Sequence, residues 1–159
     1  MNFSDNLNKN YIYCILLIII TFTLDRISKV ELINNFNENI HYVNDFINID
    51  LIWNTGVGFG LFSSDLSLIY NSITIFIGLV ILILFYIVIK SNNLDKLIYS
   101  IIIGGALGNF YDRLMYNAVP DFIDLHYNNF HWFTFNVADI FITSGIIAFL
   151  MKGFFVKNK

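Results

Sequence analysis

The sequence predicts an all-α membrane protein, with four transmembrane helices and a small extracytoplasmic β-containing loop domain between helices 1 and 2. Three observations carry that prediction. Of the 159 residues, 57% are hydrophobic and 13% are charged, about half the charged share of an average soluble domain. Mean hydropathy is +0.65. Four stretches reach the roughly 20 mostly apolar residues needed to cross a bilayer core. A chain of this length is expected to form a single membrane domain over residues 1–159.

The first span is residues 11–29, "YIYCILLIIITFTLDRISK". Lys9 precedes it, as a charge precedes a cleaved signal peptide. No small-x-small cleavage site follows, and the run continues into Asp25, Arg26 and Lys29, so it reads as a retained span. Residues 30–66 are too long for a simple turn. They alternate in places ("HYVNDFINIDLIW"), which suggests short strands. "NTGVGFG" within them reads as a tight turn or a close backbone approach. The second span, residues 67–89, is the most uniformly apolar. The third, residues 94–114, and the fourth, residues 137–156, carry polar residues. A short loop joins them and holds "NAVPDFIDLHY", with Asp121 and Asp124. Simple solvation is the plainest reading of at least one of these two loop acids.

Basic residues set the orientation. Lys9, Lys90, Lys96, Lys152, Lys157 and Lys159 fall on one side of the four spans, and neither long loop contains Lys or Arg. Both termini are therefore expected in the cytoplasm and both loops outside. Of the acids, only Asp5 and Asp95 lie toward the cytoplasmic side. Trp53, Tyr42, Tyr127 and Trp132 fit an aromatic belt at the outer interface.

Several function classes are disfavoured. A net charge of −3 without a basic stripe gives no case for nucleic acid. Cys14 has no partner for an internal disulfide and reads as packing. His41, His126 and His131 are scattered, with no zinc spacing. No G-x-S-x-G appears. If the chain is an enzyme, carboxylates are its candidates.

The polar residues form constellations. Asp25 and Lys29 lie at i and i+4 and are spaced to pair on one helix face beside a site; the plainer alternative is that Asp25, Arg26 and Lys29 pair and snorkel to the surface. In "GGALGNFYDR", Gly104 and Gly108 make a small-xxx-small packing face. Asn109, Asp112 and Arg113 follow at i, i+3 and i+4. An ionisable residue within a span is a functional hypothesis by default, and an Asp112–Arg113 ion pair is the structural alternative. In "FNVAD", Asn136 is spaced to cap the fourth helix, with Asp139 completing a capping box.

These motifs together resemble lipoprotein signal peptidase (signal peptidase II), the bacterial intramembrane aspartic protease family. The likeness runs through "DRISK", "NTGVGFG", "GGALGNFYDRLMYNAVPDFID" and "FNVAD", in that order, over nearly the whole chain. Gly58, Pro120 and Phe133 depart from the residues usual in the family. The resemblance implies that Asp121 and Asp139 are the catalytic aspartates, with Asp124 a neighbour. It implies supporting or substrate-binding roles for Asn54, Gly56, Asn109, Asp112, Arg113, Asn136, Asp25 and Lys29. It implies no metal and no organic cofactor. The implied substrates are prolipoproteins carrying a diacylglyceryl-cysteine, cut just before that cysteine at the outer face of the bacterial inner membrane. Membrane lipid is an implied partner, globomycin an implied inhibitor across the two aspartates, and the protein is expected as a monomer. Two other classes fit the composition. A proton-coupled transporter would use Asp112, Asp121 and Asp139 as relay acids. A scaffold subunit would be held by the glycine face. The acids cluster at one face rather than at mid-bilayer, and no inverted repeat is visible, which weighs against transport.

Overall fold

A computed structural model of the chain describes residues 3–35, 40–56 and 66–157. In order, the elements are α1 (Phe3–Asn35), β1 (His41–Asn44), β2 (Ile47–Asn54), α2 (Leu66–Lys90), α3 (Asn93–Tyr116), β3 (Val119–Tyr127), β4 (Phe130–Phe135) and α4 (Val137–Lys157). Each apolar run read from the sequence lies within one helix. Gly58 and the rest of the glycine-rich stretch after Gly56 lie outside the described residues.

Among the described residues, three helical segments are long and apolar enough to cross a membrane: Asn10–Asn35, Leu68–Lys90 and Val137–Phe154. Their outer surfaces are apolar and unpartnered; Ile75, Phe76 and Leu82 on α2 are each 65% exposed. Water would penalise that surface and lipid does not. The third helix, α3, falls short because it carries Asp95, Lys96, Asp112 and Arg113. It is instead the central helix, packed against α1, α2 and α4. Small residues let it approach its neighbours. A Cβ on Gly104 would lie 2.8 Å from the Ile18 carbonyl oxygen of α1, and one on Gly105 would lie 2.6 Å from the Ala138 carbonyl oxygen of α4. Ile103 and Ala138 have no exposed surface.

The β structure is larger than the sequence suggests. It is not confined to the connection between α1 and α2. One four-stranded antiparallel sheet, in the order β1-β2-β3-β4, draws half its strands from each of two connections. The segment read as a short loop between the third and fourth spans is therefore a hairpin. Its turn is at Asn128, whose φ is +52°; asparagine tolerates this left-handed conformation better than most residues. "FIDLHY", two asparagines and "FHWFTF" form a hairpin signature in retrospect. Pro120 and two acids within β3 hid it. Both Pro120, paired with Trp53, and Phe133, paired with Leu125, are accommodated in the sheet.

Candidate active site

Strand β3 decides which loop acid meets the bundle. Successive side chains on a strand point to opposite faces, so Asp121 and Asp124, three residues apart, face opposite ways. Both flanking register shifts put their extra residue on the partner strand, at Asp50/Leu51 of β2 and Trp132 of β4. The pleat of β3 itself is uninterrupted. Both acids are buried, each 4% exposed, so neither is the solvated loop acid the sequence suggested.

Asp121 accepts two side-chain amides. Asn54 Nδ2 donates to its Oδ2 at 2.8 Å, and Asn136 Nδ2 donates to its Oδ1 at 2.6 Å. Asn54 is at the end of β2. Its own Oδ1 accepts the Gly56 N–H at 2.7 Å, which turns the amide nitrogen toward Asp121. Gly56 has φ +75°, a conformation that costs a side-chain-bearing residue about 1–2 kcal/mol.

Asp139 enters from α4. The expected capping box forms in full. The Asp139 N–H donates to Asn136 Oδ1, and the Asn136 N–H donates to Asp139 Oδ2, each at 3.1 Å. Asn109 Nδ2 of α3 donates to Asp139 Oδ1 at 2.8 Å. Asn136 thus holds Asp121 by its side chain and Asp139 by its backbone.

Behind the two acids lies a buried ionic cluster. Lys29 Nζ donates to Asp25 Oδ2 and to Asn109 Oδ1, both at 2.8 Å, and pairs with Asp112 Oδ2 at 2.7 Å. Lys29, Asp25 and Asp112 have no exposed side-chain surface, which overturns the snorkelling alternative for the first two. Asp112 pairs with Arg26 and Lys29 of α1 rather than with its neighbour Arg113. Arg26 likewise turns to α3 rather than to the surface, and its guanidinium lies 4.7 Å from the Tyr111 ring centre. Asp25 Oδ1 accepts the Ala138 N–H at 2.9 Å and so satisfies a free donor in the first turn of α4. Gly108 makes room for this carboxylate, because a Cβ there would be 2.3 Å from Asp25 Oδ2.

Arg113 sits apart from that cluster. Its guanidinium lies 5.6 Å from the Tyr70 ring centre and under Gly56, whose added Cβ would meet it at 3.1 Å. Its Nε and Nη1 are buried without a hydrogen-bond partner among the described residues. Alongside Asp139 runs a groove of about 640 Å³, lined by Leu125, Phe133, Phe135, Ile140 and Thr143. A carboxylate thus opens onto an apolar trough.

Burial pushes the Asp121 carboxyl above its ordinary range. The amides of Asn54 and Asn136 draw it partly back, the charge of Asp139 raises it, and Lys29 lowers it. A buried carboxylate with the charge of a second carboxylate near it holds a proton more readily than a free one.

The model of the family "Signal peptidase (SPase) II" matches residues 17–155. The chain is 47% identical to the lipoprotein signal peptidase of Pelagibacter ubique (strain HTCC1062) over 154 residues, 95% of this chain and 93% of that one. It is 38% identical to the lipoprotein signal peptidase of Anaplasma marginale (strain Florida), covering 89% of this chain and 84% of that one. A bacterial membrane enzyme solved by the in meso method at 1.9 Å has the same fold, with a TM-score of 0.73 and 29% identity over 87% of this chain and 90% of the other.

Proposed function

The chain belongs to the signal peptidase II family, and from that premise we propose that Asp121 and Asp139 are the catalytic pair of an aspartic endopeptidase that removes signal peptides from prolipoproteins. One observation carries the reading: Asn136 donates to both carboxylates at once. A single residue therefore fixes them relative to each other.

Two carboxylates held together share one proton. The ionised member takes a proton from water as it attacks the scissile carbonyl. The protonated member hydrogen-bonds the carbonyl oxygen and stabilises the developing tetrahedral centre. Collapse of that centre breaks the C–N bond and delivers a proton to the leaving amine. The titration belongs to the pair. Asn54, Asn109 and Asn136 orient the carboxylates. Lys29, Asp25 and Asp112 brace α1, α3 and α4 beneath them. Gly56 lets the chain pass close over Arg113, whose donors without partners among the described residues are available to a substrate backbone.

The substrate is a prolipoprotein carrying a diacylglyceryl-cysteine, cut just before that cysteine. The apolar groove beside Asp139 suits a substrate that remains largely in lipid. A globomycin-type inhibitor would span the two acids. The orientation follows from charge. The site residues gather at the C-terminal ends of α1 and α3 and the N-terminal end of α4. Lys90, Lys96 and Lys152 belong to the opposite end, where Lys152 pairs with Asp95. That end faces the cytoplasm, with both termini, and the site faces outward. On this reading α3 also crosses the membrane, which makes four spans in all, its charges covered by its neighbours. The exposed aromatic residues Tyr42, Trp53, Tyr127 and Trp132 lie at the outer interface. The protein acts as a single-domain monomer.

The test is cleavage by purified protein in detergent, comparing a prolipoprotein with and without the diacylglyceryl group and reading product mass. Release of a fragment beginning at the lipidated cysteine, from the modified substrate alone, is the expected result. Equal cleavage of the unmodified precursor would refute the lipid requirement.

A further inference from the structure

The opposite face of β3 carries a second buried carboxylate that the proteolytic reaction does not use. Asp124 Oδ2 lies 2.7 Å from His131 Nδ1 on β4 and accepts Asn48 Nδ2 of β2 at 3.3 Å. His126 Nδ1 stands 3.8 Å from the same oxygen, and its ring stacks on that of His131 with centres 5.4 Å apart. No lysine or arginine pairs with Asp124 among the described residues. One oxygen atom thus ties together the three strands that meet at β3.

Those ties fall where the sheet is least regular. On β2, pairing jumps between Ile49 and Ile52, so Asp50 and Leu51 face the single residue Phe122. On β4, pairing jumps between Phe133 and His131, which leaves Trp132 as the extra residue. Each is a bulge, and a one-residue slip in a strand reverses every side chain beyond it. The Asn48 contact anchors β2 just before its bulge. The His131 contact crosses the bulge of β4. Beyond those bulges the two strands end at Asn54 and lead into Asn136, the two residues whose amides reach Asp121.

We propose that Asp124 is a positioning residue, a clasp that holds two bulged strands in the register that brings Asn54 and Asn136 onto Asp121. This rests on the reading of Asp121 and Asp139 as the catalytic pair. Asp124 touches no reacting atom. It acts by fixing which way the neighbouring amides point.

The experiment compares Asp124→Leu, Asp124→Asn, His131→Leu and Asp121→Asn in detergent, measuring kcat and KM for a diacylglyceryl-modified prolipoprotein across pH, with thermal unfolding alongside. Asp124→Leu removes the acceptor. It is expected to lower kcat by roughly tenfold or more, since small misplacements of catalytic groups are costly, while KM stays within about threefold. The alkaline limb of its kcat profile moves to higher pH, because the amides that favour ionised Asp121 are drawn away. Asp124→Asn keeps a carbonyl oxygen for His131 and Asn48 and is expected to restore wild-type kcat and pH profile. His131→Leu, which removes a half-exposed partner, moves both readouts in the same direction as Asp124→Leu but less; it decides the matter if Asp124→Leu does not fold. Wild-type kcat and pH profile in a folded Asp124→Leu, or in His131→Leu where the former is unfolded, would overturn the clasp. So would an Asp124→Asn enzyme as inactive as Asp121→Asn, which would give Asp124 a chemical role. If Asp121→Asn itself cleaves normally, the catalytic assignment fails instead, and the two failures are separate.

Discussion

The side-chain amide of Asn136 donates to Asp121 at 2.6 Å, while its backbone N–H donates to Asp139. A residue whose local role is to cap α4 is therefore also the link between the two acids. Cap and link share one side chain: its oxygen accepts the Asp139 N–H and its nitrogen serves Asp121.

Replacing Asn136 by alanine removes both functions. A hydrogen bond to a charged group contributes about 1.5–3 kcal/mol, so kcat should fall by about ten- to a hundredfold. Loss of the cap should also lower the unfolding temperature in detergent. Steady-state kinetics beside a thermal melt separates the two effects.

The pH dependence follows from Asp121. Its carboxyl is raised chiefly by burial, and in the proposed mechanism the pair carries one proton. Turnover should therefore fall as pH rises through that elevated value. The Asn54 amide opposes the rise by favouring the ionised form. Asn54→Ala should shift the alkaline limb of the kcat profile to higher pH. A shift to lower pH would contradict the assigned hydrogen bond.

Lys29 has two carboxylates as ion-pair partners and no exposed surface. Lys29→Met leaves Asp25 and Asp112 buried with less compensation, Arg26 remaining on Asp112 alone. Breaking a buried pair in this way costs about 3–5 kcal/mol. A chemical or thermal unfolding curve in detergent should register a loss of that order.

Gly108 tests the packing beneath the site. An added methyl would lie 2.3 Å from Asp25 Oδ2 and must push that carboxylate off Lys29 or the Ala138 N–H. Overpacking of this kind costs about 1–3 kcal/mol. Gly108→Ala should be less stable than wild type, whereas Gly153→Ala in α4, with nothing within 4 Å, should be at least as stable as wild type, since alanine is the better helix former.

The helices were readable in the sequence because long apolar runs mark them directly, and each apolar run lies in one helix. The Asn136–Asp139 capping box was readable because both partners are local. The links from Asn54 to Asp121, from Asn109 to Asp139 and from Arg26 to Asp112 join residues far apart in the chain, and no local pattern announces them. The strand carrying Asp121 and Asp124 was obscured by its proline and its acids, whose burial depends on partners supplied by β2, β4 and α4. Family resemblance distinguished Asp121 from Asp124 as a likeness; the pleat of β3 adds a physical reason, since only one of two residues three apart can face the bundle.

The central claim is most directly tested by turnover and inhibitor binding in parallel, for wild type, Asp121→Asn and Asp139→Asn. The account predicts that wild type releases a product beginning at the lipidated cysteine. Each variant should lose at least about a hundredfold in kcat while still binding globomycin. A variant at either position that cleaves at the wild-type rate would contradict it.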